Sequence, residues 1–505
     1  MKIFTTSQIR DIDACTIQNE PVASIDLMER AGKACTNWIC EKFDRNEKII
    51  IFTGPGNNGG DGWTVARLLT EQGFPNIRVC LLRLSAALSP DSAINRERLI
   101  EQHRIPVAEI ASADDFPVIK PSDIVIDALF GSGLTRPLTS LPANLIKHIN
   151  SAGCRVIAID IPSGLMGEDN TGNIADNIIK ANHTLTFQFP KLSFFFPENE
   201  MFVGNWTVLD IGLRSDCIEK TDTPYYYIYK EDIAGLVKPR RKFSHKGMFG
   251  HALLVAGSYG MMGAAVLASR ACLRAGAGLV SVHVPLKGCE IIQTTVPEAI
   301  VSLDPSETCF SRIPDLIPYN AIGVGPGIGR RTAVQKALNS LLIKCPRPMV
   351  IDADALNLIA AHKGFIEKIP ENSILTPHPK EFERLAGVNK NGYDRLMKQI
   401  AFARKHKVIL VLKGAHTSVA LPDGKSYFNS TGNPGMASGG SGDVLTGIIL
   451  SFMAQGYEPA EAAIAGVYLH GLAGDIAVRQ KGQQALIASD IADNIGNAFL
   501  QTETS

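Results

Sequence analysis

The sequence predicts an α/β protein of two domains, each built on a largely parallel sheet. Three observations predict it. The chain has 505 residues, more than one hydrophobic core usually serves. Short apolar runs recur between stretches whose apolar residues fall at helical spacing, and the runs are continuous, as in strands buried on both faces. The series lapses once, near residues 210–230, and then restarts.

Residues 7–42 set Ile9, Ile12, Leu27, Met28, Ala31, Ala34, Cys35 and Trp38 at helical intervals, which predicts a helical lead-in. A strand follows at 48–52, and Ile77–Leu82, Ile124–Ala128 and Val156–Ile159 extend the sheet. Asp210–Leu213, a polar stretch around Glu219–Thr223 and a tyrosine cluster put the boundary at about 215–228, dividing residues 1–220 from 221–505. A second series runs through His251–Ala256, Leu279–Val284, Ala321–Val324, Met349–Ile351 and Val408–Leu412, and closes with a long small-residue helix after Asp443.

Fifty basic and fifty acidic residues cancel to a formal charge of +0, and 45% of the chain is hydrophobic, which excludes a disordered or polyanion-coating protein. No nucleic-acid partner is expected. No apolar run approaches about 18 residues, so no membrane span is expected. Met1–Thr6 lacks the apolar segment of a secretory leader. The ten cysteines contain no Cys-x-x-Cys pair, and reduced, mostly buried thiols in a cytoplasm are expected.

Directly after the strand at 48–52 comes Gly54-Pro55-Gly56-Asn57-Asn58-Gly59-Gly60-Asp61-Gly62, whose first six residues satisfy GxGxxG in a Rossmann-like setting. A tight strand-to-helix turn would explain the glycines alone. Two amides and a carboxylate in the same loop point to a ligand, and Arg83 stands where a hydride-transfer enzyme would offer the ribose an acid. Two further strand ends carry Asp127 and Asp160, each running into a glycine-containing turn: Asp127–Pro137 and Asp160–Leu165. An isolated Asp would read as a helix cap. Carboxyl ends of neighbouring parallel strands, however, border one crevice.

These segments, Asn57–Gly62, Asp127–Pro137 and Asp160–Leu165, resemble the NAD(P)H-hydrate epimerases over roughly residues 1–215. The resemblance implies a potassium ion held by Asn58, Asp127 and Ser163, an oxygen donor set suited to a hard cation. It further implies that Asn57, Asn58, Gly59, Gly60, Asp61, Gly131, Ser132, Gly133, Leu134, Thr135, Arg136 and Pro137 contact a hydrated nicotinamide cofactor, with Asp160 as substrate contact and acid/base. The aromatic run Phe189–Phe196, which contains Lys191, departs from that family's expected pattern and reads as core packing or a lid.

In the second half, Gly432–Gly447 runs through Gly439, Gly440 and Gly442 into an apolar helix with Asp443 in its first turn. Such glycines expose backbone amides at a helix start, an anion hole for a phosphoryl group in transfer, and place Asp443 to take a proton from a hydroxyl. Lys413-Gly414-Ala415-His416-Thr417 ends another strand, His378 is held between Pro377 and Pro379, and Gly323–Gly329 follows a third strand. Together they resemble the ribokinase-like superfamily and, more closely, the ADP-dependent NAD(P)H-hydrate dehydratases over roughly 229–505. By that resemblance Ala264, Gly327, His378 and Asp443 touch the hydrate, Lys413–Thr417 (Gly414, Ala415 and His416 between them) and Gly442 touch ADP, and Mg2+ assists without an assigned protein ligand. The expected partners are hydrated NADH or NADPH and ADP, in a homo-oligomer with a tetramer as the candidate state. Three rivals differ in product: a small-molecule kinase leaves a stable phosphoester, an NAD(P) oxidoreductase transfers hydride, and a nucleotide sensor does no chemistry.

Overall fold

The computed structural model describes residues 1–20, 22–84, 87–101 and 105–503. They divide into two compact units, residues 2–223 with 390–393, and residue 1 with 224–389 and 394 onward.

In the first unit, strands β1 (Ile49–Thr53), β2 (Ile77–Leu82), β3 (Val107–Ile110), β4 (Ile124–Ala128), β5 (Arg155–Ile159), β6 (His183–Phe187) and β7 (Asn205–Leu209) form one sheet in the order β3-β2-β1-β4-β5-β6-β7. Every neighbouring pair is parallel. Strand alternation explains the continuous apolar runs: Ile49 and Ile51 pack with Trp63, Ala66 and Leu69 on one face, while Ile50 and Phe52 pack with Leu145, Ile146 and Ile149 on the other. The expected helical lead-in is two helices, α1 (Thr6–Asn19) and α2 (Ser24–Lys42), and α3 (Asn57–Glu71) leaves the glycine-rich turn. Strand order reverses between β1 and β4, which puts that turn and the end of β4 at one crevice.

In the second unit, β8 (Tyr225–Ile228), β9 (His251–Val255), β10 (Leu279–Pro285), β11 (Ile300–Asp304), β12 (Ala321–Val324), β13 (Met349–Ile351), β14 (Ile374–Leu375), β15 (Ile409–Leu412), β16 (Ser418–Ala420) and β17 (Ser426–Asn429) run in the order β8-β17-β16-β15-β14-β13-β12-β9-β10-β11. The stretch from β15 to β11 is parallel, and β16 is antiparallel to both its neighbours. The tyrosine cluster read as a linker is β8, whose Tyr226 stacks on Tyr427 at 5.0 Å. Helix α4 (Met262–Arg274) crosses α6 (Ser441–Ala454) so closely that a Cβ on Gly447 would collide with the Ala268 carbonyl. Helix α5 (Ala353–Ala361) follows β13. The long closing helix expected after Asp443 is instead two, α6 and α7 (Pro459–Lys481), because Gly456 at φ +79° turns the chain between them.

One expectation is overturned. Cys15 and Cys217, 202 residues apart, form a disulfide joining α1 to the short helix Ser215–Lys220, whereas reduced thiols were expected throughout. Sequence spacing carries no trace of a pairing made only when the first unit folds on itself. The other eight cysteines are free, five of them buried. The aromatic run is core: Leu192, Phe194, Phe195 and Phe196 are all buried. Among the described residues no helix is long and apolar enough to cross a membrane.

Candidate active sites

A cavity of about 710 Å³ opens in the first unit at the carboxyl ends of β1, β4 and β5. Asn57, Asn58, Asp61, Gly131, Ser132, Gly133, Leu134 and Asp160 line it. Gly59 and Gly60 lie behind that wall, where a Cβ would strike the Gly54 carbonyl or the Met28 sulfur. Thr135, Arg136 and Pro137 are outside the lining, as are the fully buried Asp127 and Ser163 just beneath it.

Asp160 sits at φ +65°, a left-handed conformation that a residue with a side chain adopts only when its surroundings enforce it. Its Oδ1 accepts from Lys191 Nζ at 2.7 Å and its Oδ2 from the Ser132 amide at 3.2 Å. Burial by itself would raise this carboxyl; the Lys191 charge and hydrogen bond, with Ser132, overcome it and hold Asp160 below the usual carboxylate range. Lys191 is only 1% exposed, and Nζ also donates to Thr186 Oγ1 at 2.9 Å and the Phe189 carbonyl at 3.3 Å. Sequence reading missed it as a site residue. The signal was there: a lysine inside an apolar run is costly unless paired. Two more carboxyls face this cavity. Burial, then the Asp160 charge, pushes Asp61 well above the usual range, and burial and Asp160, opposed by Lys191, push Asp13 up to about 7.

Beneath the wall, Asp127 Oδ1 accepts from Ser163 Oγ at 2.6 Å and Oδ2 from the Ser163 amide at 2.8 Å, while Ser163 Oγ also reaches the Phe130 carbonyl at 3.2 Å. Burial outweighs these bonds and pushes Asp127 up to about 6. Both polar side-chain atoms of Asn58 are buried with no hydrogen-bond partner among the described residues. A Cβ on Gly131, next to Phe130, would lie 3.3 Å from Asn58 Oδ1. Asn58 and Ser163 therefore flank the same short segment.

In the second unit a cavity of about 450 Å³ brings together Ala264, Gly327 and Asp443 with Asp354, Asn357 and Glu381. Gly440, in the left-handed region at φ +91°, caps α6, and helix geometry leaves the first-turn amides of Gly442 and Asp443 without acceptors inside the helix. Among the described residues Asp443 is in no salt bridge. Burial, then the neighbouring Asp352 charge, pushes it up to about 7 against the pull of Lys413.

The structure separates the other predicted contacts. His378 is the N-cap of the helix Pro379–Ala386: its Nδ1 accepts from the Lys380 amide at 3.2 Å, and Glu381, its capping partner, takes the place on the cavity wall. Lys413 Nζ donates to Asp352 Oδ1 at 2.9 Å, and Thr446 Oγ1 donates to Asp352 Oδ2 at 2.8 Å. A Cβ on Gly442 would lie 3.3 Å from Lys413 Nζ, so this clamp sits directly beneath the glycine turn. Gly414, Ala415 and His416 form a turn closed by Thr417, whose Oγ1 accepts from the Gly414 amide at 3.2 Å, with His416 Nδ1 3.2 Å from the Asn429 carbonyl. Asp352, in a stretch Asp352–Asn357 that resembles the dehydratases, and Thr446, within Gly432–Gly447, were given no role from sequence. Behind the turn, burial drives His470 down to about 4, and its neutral Nε2 lies 3.3 Å from Ser441 Oγ.

Residues 24–193 match the family described as YjeF-related protein N-terminus, and residues 252–497 the family described as NAD(P)H-hydrate dehydratase. The bifunctional NAD(P)H-hydrate repair enzyme of Moorella thermoacetica is 36% identical over 98% of this chain and 96% of its own. That of Escherichia coli K12 is 34% identical over 92% and 88%. A solved ADP/ATP-dependent NAD(P)H-hydrate dehydratase from Bacillus subtilis, co-crystallised with ATP and Mg2+, is 30% identical, covers 55% of this chain and 99% of that one, and superposes with a TM-score of 0.48.

Proposed function

The chain belongs to the family of bifunctional NAD(P)H-hydrate repair enzymes, and from that premise we propose that its first unit interconverts the R and S epimers of hydrated NADH and NADPH while its second dehydrates the S epimer with ADP. The observation that carries this reading is the pairing of Asp443, free of any salt bridge among the described residues, with the open amides of a glycine-led helix start.

Hydroxide leaves poorly and phosphate leaves well. Asp443 takes the proton from the substrate hydroxyl, and the first-turn amides of α6 hold the phosphoryl migrating from ADP, which leaves AMP. The ring nitrogen then expels phosphate to give an iminium, and loss of a proton from the neighbouring ring carbon to water or the departing phosphate restores the reduced nicotinamide. Asp443 is poised near neutrality for that task. Asp352, with Lys413 and Thr446, holds the helix start in register. Gly442 is the point of closest approach to ADP, with Gly414–Thr417 bordering it. His378 sets Glu381 on the wall.

In the first unit Asp160, kept ionised by Lys191, moves the proton on which inversion at the hydroxyl-bearing carbon depends. The Asn57–Asp61 and Gly131–Pro137 loops bind the hydrate.

Two ions fit the donors present. The orphaned Asn58 amide, buried Asp127 and Ser163 form an oxygen set for potassium, which would supply the positive charge that Asp127 lacks. Magnesium travels with phosphates and asks for one or two carboxylates; Asp354 and Glu381 on the second cavity's wall fit, and the ion would neutralise phosphate charge. Cytoplasmic residence and a homo-oligomer, with a tetramer as the state to test by light scattering, complete the proposal.

The decisive experiment gives mixed-epimer NADH hydrate, ADP and Mg2+ to the full chain and follows the reduced-nicotinamide absorbance. Complete recovery with release of free phosphate is expected; a stable phosphorylated product would favour a small-molecule kinase instead.

A further inference from the structure

Inverting a carbon that bears both a hydroxyl and a ring nitrogen needs two protonic partners: one group must give a proton as a bond breaks, and another must accept one as the new bond forms. Asp160 fills only the second role at rest, because Lys191 and the Ser132 amide stabilise its charged form. We propose that Asp13 is the second proton-transfer residue of the epimerisation, the acid that complements Asp160. The proposal rests on the epimerase reading of this cavity.

Geometry singles Asp13 out. On α1, Ile9, Asp13 and Ile17 recur at four-residue intervals and all line the cavity, so a carboxyl occupies the middle of an apolar stripe that faces the site. Among the described residues the Asp13 carboxyl makes no hydrogen bond or salt bridge; it caps nothing and holds nothing. One turn earlier Arg10 leans over the loop that grips Asp160: a Cβ on Gly133 would lie 2.8 Å from Arg10 Nη2. The groups facing Asp13 are Arg10 from its own helix, Asp61 from α3, Asp160 after β5 and Lys191 after β6. Asp61 is the weaker candidate, since burial, then the neighbouring charges of Asp160, Asp13 and Asp91, raise it well above the usual carboxylate range and favour its protonated form. Asp13, pushed up to about 7, both holds and releases a proton near neutral pH.

The step balances without redox chemistry. Asp13 protonates the hydroxyl oxygen, the C–O bond breaks to release water, and the nitrogen lone pair forms C=N. Water then adds to the opposite face; its oxygen makes the new C–O bond, the C=N pair returns to nitrogen, and the surplus proton goes to Asp160. Proton exchange with water in the cavity resets both carboxyls, and the reverse direction runs the same steps with the roles exchanged.

Without ADP the second unit is idle, so pure R hydrate given to the full chain reports epimerisation alone by chromatography of the two epimers. Wild type should lose kcat as pH rises through about 7. Asp13→Asn should lower kcat about 10²-fold or more, leave KM within a few-fold and abolish that alkaline limb, while Asp13→Glu should restore much of both. A wild-type chain that does not accelerate interconversion overturns the epimerase reading itself. Wild type active, Asp160→Asn inactive and Asp13→Asn unchanged in rate and pH profile overturns the Asp13 proposal alone. Dehydration of pure S hydrate controls for folding; if Asp13→Asn fails it, the wild-type profile and Asp13→Glu decide, and a wild-type profile flat through neutrality overturns the proposal.

Discussion

The two cavities solve opposite problems with the same residue type. Asp160 in the first unit is buried beside a cation of its own, Lys191 at 2.7 Å, and is held charged. Asp443 in the second unit also has a lysine nearby, but Lys413 is committed to Asp352 at 2.9 Å, so burial, then the like charge of Asp352, raises Asp443 to about 7 against the pull of Lys413. The difference lies in which carboxylate claims the lysine. A base meant to stay ionised is given the cation directly. A base meant to gain and lose a proton near neutrality is denied it, while the cation stays close enough to steady the phosphate turn.

The sharpest way to break this comparison is to remove each aspartate. Asp443→Asn is expected to cost the dehydration on the order of 10³-fold in kcat and to stop recovery of reduced nicotinamide from both epimers. Asp160→Asn should leave the S epimer cleared at full speed and the R epimer waiting on spontaneous interconversion. Biphasic recovery in one variant and none in the other checks both sites in one assay; equal behaviour would dissolve the contrast.

The next effect is on stability. Lys191→Met removes the cation from a buried pair and strands Asp160, a loss of about 3 kcal/mol or more by the usual cost of an orphaned buried charge. Denaturant titration at pH 7 measures it. The corresponding Lys413→Met should cost less, because Asp352 keeps the Thr446 hydrogen bond at 2.8 Å and Lys413 is 23% exposed.

How much of this was legible in the sequence follows from the range of the interaction concerned. Strands such as Ile124–Ala128 and Ala321–Val324 were read with their boundaries because burial on both faces writes a continuous apolar run into consecutive residues. Asp127, Asp160 and Asp443 stood out because each adjoins a glycine-containing turn. Lys191 did not, because its partner lies 31 residues away and its neighbours are aromatic core residues. Lys413 was read only as a nucleotide contact, because Asp352, with which it pairs, lies 61 residues earlier. Asp13 was not singled out, since only the fold turns its face of α1 towards the cavity. The Cys15–Cys217 bond was beyond reach of any local pattern.

A finer test lies in the sign of pH dependence. Asp443 binds its proton more tightly folded than unfolded, so from about pH 4 towards about 7 the unfolded chain has already lost a proton the native chain keeps, and this group's contribution falls as pH rises. Asp160 is the reverse: its depressed value contributes stability above the ordinary carboxyl range, lost as pH falls through its folded value. Asp443→Asn should therefore raise stability at pH 8 by on the order of 1 kcal/mol, with the gain shrinking towards pH 4. Asp160→Asn should lower it at pH 8. Thermal melts across pH decide, and two variants moving in the same direction at pH 8 would mean the aspartates do not differ as argued.

The smallest expected effect concerns potassium. Asn58 offers an amide with no partner among the described residues, and burial pushes Asp127 up to about 6. A monovalent ion seated between them would lower Asp127 and give the Asn58 oxygen a contact, and it would do so only in the first unit. Replacing potassium with the bulky tetramethylammonium ion at constant ionic strength should slow epimerisation several-fold and leave dehydration of pure S hydrate unchanged. Asn58→Ala should remove the sensitivity along with the activity it supports. Equal sensitivity in both reactions would point to a general salt effect, because screening acts on any exposed charge whereas a built site acts on one.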